Sequence, residues 1–141
     1  MKRVHVYLLF LSLSALFACR TERLERPFEP IKDVNGSWKI VGVSRNGTDL
    51  TSRFDFSKFR LSFTDSAYSI SEQVPFLVTT SGTWRFDDPA YPFKLSLTAK
   101  DSAAKTTPLL FPVTGGKRSM ILNLSPGCTA NTYQYTLQKA D

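Results

Sequence analysis

Cys19 carries the most distinctive chemistry in the chain. Its thiol follows Leu16, Phe17 and Ala18 directly, at the end of the apolar run VYLLFLSLSALFA. The thiolate is the protein nucleophile suited to forming a thioether. Lys2 and Arg3 make a positive leader, Val4 to Phe17 an apolar core, and Ala18 the small residue needed beside a scissile bond. Together they read as an export signal over residues 1–18. The run is too short to persist as a helix across a hydrocarbon layer of about 30 Å.

The other groups capable of chemistry are sparse. His5 is the only histidine and leaves with the signal, so the mature chain has no imidazole for a triad, a general base or a metal ligand. Asp87 and Asp88 resemble a carboxylate pair, but neighbours on a strand point to opposite faces, and before Pro89 they read as turn residues. The Thr114-Gly115-Gly116-Lys117 run lacks the rest of a phosphate loop, and no Gly-x-Ser-x-Gly elbow occurs. Cys128, in SPGCTAN, has only Cys19 as another cysteine in the chain, and reads as a quiet thiol, with intermolecular pairing or a reactive role as the alternative. The expectation is a non-enzyme with no metal and no cofactor.

The formal charge of +6 falls to +4 when Lys2 and Arg3 are removed, because no acid leaves with them. The remaining cations are scattered, as at Lys39, Arg60, Arg85, Lys94 and Lys117, whereas nucleic-acid binding needs a basic stripe. Nucleic acid is therefore excluded as an expected partner.

The LFAC sequence resembles the lipobox of bacterial lipoproteins. That resemblance implies a diacylglyceryl thioether on Cys19 and an acylated amine after cleavage, and several chains give the multi-signal anchoring that one chain does not. Arg20 stands where retained lipoproteins carry aspartate, so the implied address is the outer membrane, lipid-anchored. Residues 19–33, with Pro27 and Pro30 and interleaved arginines and glutamates, read as the lipidated cysteine and a solvated tether. Asp65-Ser66-Ala67 and Asp101-Ser102-Ala103 resemble an O-glycosylation motif of some Gram-negative envelopes, and both fall in predicted turns.

Residues 34–141 must position whatever chemistry remains, and they read as one all-β domain. Phe59, Leu61 and Phe63 alternate with Arg60, Ser62 and Thr64; Phe93, Leu95 and Leu97 alternate with Lys94, Ser96 and Thr98; Tyr133, Tyr135 and Leu137 alternate with Gln134, Thr136 and Gln138. Period two gives each segment a dry and a wet face. Asn46-Gly47, Asp65-Ser66, Asp87-Asp88-Pro89, Gly115-Gly116 and Pro126-Gly127 supply the turns. Strands are predicted near 37–44, 58–64, 67–73, 79–86, 93–99, 106–113, 118–124 and 131–138. An up-and-down antiparallel meander of about eight strands removes both free edges by closing into a small β-barrel. Pro108 and Pro112 predict an irregular sixth strand or one bordering an opening. The aperiodic stretch from Gly47 to Ser57 reads as a lid loop or a short helical turn.

Asn35-Gly36-Ser37-Trp38, opening the first strand, resembles the Gly-x-Trp signature of lipocalins. The resemblance covers roughly residues 34–139. It implies that Gly36 lets the chain approach closely at the barrel base, that Trp38 plugs that base, and that the segment from Phe28 to Asp33 crosses beneath it. The family's arginine over the tryptophan has only Lys139, or Arg118, to stand for it here. A second Gly-x-Trp, Gly82-Thr83-Trp84 in GTWRFDD, is similar to the middle of bacterial lipocalin-like lipoproteins of unassigned function.

Two functional readings stay open. In one, the cup holds a small apolar or amphipathic ligand against inward-facing Leu61, Phe63, Ile70, Trp84, Phe86, Leu95, Leu97, Met120, Leu122, Tyr133 and Tyr135. In the other, side chains fill the barrel, as eight-stranded barrels allow, and the domain binds an envelope protein partner. Nine phenylalanines in the mature chain are enough to fill it. Contiguous exposure of Phe54, Phe56, Phe76 and Tyr91 would favour the partner.

Overall fold

The computed structural model describes residues 30–125, 127 and 130–140. Alternating apolar and polar residues form ten strands: β1 (Gly36–Arg45), β2 (Thr48–Asp49), β3 (Leu61–Thr64), β4 (Ala67–Ile70), β5 (Gly82–Phe86), β6 (Lys94–Ala99), β7 (Lys105–Leu110), β8 (Val113–Thr114), β9 (Lys117–Leu124) and β10 (Tyr133–Lys139). Eight of them, all but β2 and β8, pair antiparallel in the order β10-β1-β3-β4-β5-β6-β7-β9, and β9 pairs with β10 to close the ring. The result is a small lipocalin-like barrel. The two short strands extend hairpins, β2 on β1 and β8 on β9.

All eight predicted segments correspond to barrel strands, with shorter spans where loops fold over an end of the barrel. The sixth segment ends early, at Leu110, and pairs in the β9 ladder only through Leu109 and Leu110, while the Thr107 hydroxyl donates to the Asn123 carbonyl. Pro108 sits opposite Lys94 in β7, where it can donate no ladder bond. Inside β1 the register shifts between Ile40 and Gly42. This bulge leaves Val41 exposed and turns Val43, not Gly42, inward beside Trp38 and Ile40.

Register defines two ends. The base carries Gly36, Trp38, Lys139 and the Asp65-Ser66 turn; the mouth carries Arg45, Leu124 and Tyr133. At the base, Trp38 is buried, its indole N–H donates to the Val34 carbonyl at 2.8 Å, and the Lys139 ammonium lies 5.9 Å from its ring centre. Lys139 thus occupies the place over the tryptophan that the lipocalin resemblance assigns to arginine. The Lys32 N–H donates to the Pro89 carbonyl at 2.9 Å, strapping the incoming chain across the base. Phe28 lies outside the described residues.

Two expectations need correction. Gly36 makes no close approach: a Cβ there would meet nothing within 4 Å, and the glycine is used for its φ of +110° as the chain turns into β1. Close approach belongs to the second Gly-x-Trp, since a Cβ on Gly82 would sit 2.0 Å from the Thr98 carbonyl oxygen. Phe93, expected on the dry face with Leu95 and Leu97, is 68% exposed. The Asp87 carboxylate accepts both the Phe93 and Lys94 N–H groups, which curls the preceding loop and turns the phenyl ring out before the strand begins.

Candidate functional site

The barrel interior is solid. Leu61, Phe63, Leu95, Leu97, Met120, Leu122 and Tyr135 are fully buried, and Ile70, Trp84, Phe86 and Tyr133 pack against them from partly buried positions. All eleven candidate interior residues therefore belong to one apolar core. They are divided between its two ends and its centre. Towards the base, Phe63, Trp84, Phe86 and Phe111 form a chain of edge-to-face rings at 5.2, 4.9 and 6.0 Å. Aliphatic side chains fill the middle.

A second aromatic group closes the mouth. Phe76, from the loop after β4, packs on Phe59 at 5.4 Å and on Tyr135 at 5.5 Å, and Phe56 meets Tyr135 at 6.4 Å. The Tyr135 hydroxyl donates to the Pro75 carbonyl at 2.5 Å, fixing that loop over the barrel. Burial, with the neighbouring Tyr133, pushes the Tyr135 hydroxyl up to about 12. Phe56 and Phe76 are buried; Phe54 at the mouth and Tyr91 near the base remain exposed, so the four do not make the contiguous patch that would have favoured a protein partner.

Between this plug and the β1–β10 rim lies a pocket of about 190 Å³ lined by Val43, Arg45, Leu50, Phe54, Phe56, Pro75, Tyr133 and Tyr135. Its walls are apolar apart from one cation. Arg45 donates to Asn131 Oδ1 at 2.7 Å, with its guanidinium carbon 5.7 Å from the Tyr133 ring centre, so the charge is held in place at the rim. Asn46 and Thr132 exchange hydrogen bonds at 2.9 Å beside it and tie the β1–β2 turn to the chain entering β10. Of the interior candidates, Tyr133 and Tyr135 line this pocket. Leu50, Phe54, Phe56 and Pro75 come from loops that strand periodicity does not reach; the aperiodic Gly47–Ser57 stretch was the signal for the first three, and Pro75 had none.

A larger groove, about 840 Å³, opens where β4 and β5 diverge above Tyr68 and Gly82, and is bounded by Thr98 to Ser102. It is broadly open to solvent and offers little enclosure. Asp87 and Asp88 are turn residues: Asp87 accepts from Phe93 and Lys94, and Asp88 from Ala90 and Tyr91. The hydrogen bond from the Lys94 N–H, first among several backbone donors, holds the Asp87 carboxyl below the usual range. Asp65 and Asp101, which open the two Asp-Ser-Ala motifs, both have positive φ in turns. Cys19 and Cys128 lie outside the described residues.

Comparison with curated proteins and with solved structures gives no match. The model of one family, described as a domain of unknown function (DUF5004), matches residues 18–138. That match takes in the whole barrel and the segment before it, and the chain belongs to the DUF5004 family.

Proposed function

We propose that this is a lipid-anchored envelope protein whose barrel is a rigid, non-catalytic stand for a small binding pocket at its mouth. The observation that carries the reading is the partly open, mainly apolar pocket between Phe54, Phe56, Tyr133 and Tyr135 with Arg45 fixed at its rim. Such a site grips an apolar group by area and orients an anionic head by charge. Its volume is below the roughly 300–1,000 Å³ of drug-sized pockets, so it suits a short acyl end or a small ring with a carboxylate. The lipocalin-like barrel supports ligand binding as a class of function, and the resemblance of Leu16 to Cys19 to a lipobox, behind an apolar leader, supports the anchor.

The test is a thermal-shift series on purified mature protein with carboxylates of increasing chain length. Ligand at a hundredfold excess over Kd is expected to add about 2.7 kcal/mol. Phe54→Ala and Arg45→Gln should each abolish the shift, and no shift for any chain length overturns the proposal. The solid interior supports a second reading, an envelope protein partner bound by the loops. Crosslinking in intact cells that traps one reproducible neighbour would favour it.

A further inference from the structure

We infer that the barrel base is a docking face for a phospholipid bilayer, with the mouth pocket pointing away from it. Five of the seven exposed large hydrophobics among the described residues, Ile31, Tyr91, Phe93, Leu110 and Val113, gather here, each 50–69% exposed. They form one face. Two shallow depressions, one bounded by Ile31 and the other by Tyr91, Phe93 and Leu110, share Phe111 and Arg118, and Val113 is the ladder partner of Arg118. A monomer rarely leaves such a cluster to water, and aromatic rings beside arginine and lysine suit the boundary between headgroups and acyl chains.

The course of the chain selects the occupant. Residues 30–33 lie at this face, where Lys32 is strapped to Pro89, and Pro30 follows Cys19 by 11 residues. Eleven residues span at most about 40 Å whatever their conformation, so an acyl group on Cys19 keeps the base close to the bilayer at high effective concentration. The inference rests on the proposed lipidation of Cys19. Arg118 and Lys32 adjoin Asp33, and Asp87 and Asp88 are tied into the nearby loop, so insertion of the apolar side chains, rather than net charge, supplies the attraction.

The experiment uses the lipidated protein in vesicles of phosphatidylethanolamine with and without phosphatidylglycerol. A nitroxide is placed at Phe93→Cys or Val113→Cys at the base, or at Ser52→Cys near the mouth, each in a Cys128→Ser background. Base labels are expected to collide readily with oxygen and several-fold less with a nickel chelate than the label at position 52, in both lipid mixtures. Intact mass on the same sample reads the anchor separately: a Cys19 without acyl mass overturns the tether reading and this inference with it. A lipidated chain whose base labels are as accessible to nickel as position 52 overturns the orientation alone. Labels shielded from both reagents, with broadening that grows with protein density, would assign the face to a second copy and overturn the lipid.

Discussion

Tyr135 joins the barrel to the loop that closes it, and its hydroxyl is both buried and hydrogen-bonded. Its neutral form is favoured by the fold, because the folded value of about 12 lies above the ordinary value of 10. The associated stability is complete below pH 10 and is lost as pH rises towards 12. Circular dichroism across an alkaline titration should show unfolding over that window. Tyr135→Phe should lose about 1 kcal/mol in urea melts and flatten the alkaline dependence. At Gly82 there is no space for a methyl group against the Thr98 backbone. Gly82→Ala is expected to cost more than about 3 kcal/mol or to prevent folding, as measured by the urea midpoint, whereas Ser81→Ala beside it should be nearly neutral. Sequence identified Gly82 only as part of a second Gly-x-Trp pattern. Its need for close approach comes from a strand that lies sixteen residues downstream at Thr98.

At the scale of the strands, the ladders differ in length. β1–β10 and β9–β10 run along most of their strands, while β4–β5 joins Ala67 and Tyr68 to Thr83 and Gly82 alone, and β7–β9 joins only Leu109 and Leu110 to Leu122 and Ile121. Short ladders open first. Among the eight barrel strands, amide hydrogen exchange should therefore show the lowest protection in β4 and β7 and the highest in β10 and central β9. Of the fold, eight strand positions and the closed meander were legible because period-two patterning and turn residues are local signals. Pro108 and Pro112 marked the weak sixth strand for the same local reason. The inward turn of Val43 was not legible, since the β1 bulge depends on pairing with β10, and neither was the outward turn of Phe93, which the Asp87 carboxylate imposes. The site was half legible: Tyr133 and Tyr135 lie on a periodic strand, while Phe54, Phe56 and Pro75 reach the pocket on loops.

For the whole molecule, the filled interior separates this barrel from a deep cup. Apolar ligands should leave the signals of Leu97 and Met120 unmoved in methyl NMR while shifting those of Leu50 and Val43. Leu97→Ala should cost about 2–5 kcal/mol and open a dry space that takes up xenon or benzene, which the native barrel does not. The closed ring also has a mechanical consequence. A pull on the chain preceding residue 30 enters the barrel through residues 30–35 and then runs along β1, which is held on one side by the long β10 ladder and on the other by β3. Against a second handle at the mouth, hydrogen bonds on both flanks bear the load together in shear rather than one after another, so single-molecule extension between the N-terminal side and the mouth should meet a high rupture force. Ala140, whose N–H donates to the Ser37 carbonyl, leaves the barrel at the end where the chain enters β1, so traction between the two termini would instead peel the antiparallel β1–β10 seam one hydrogen bond at a time, at a low force.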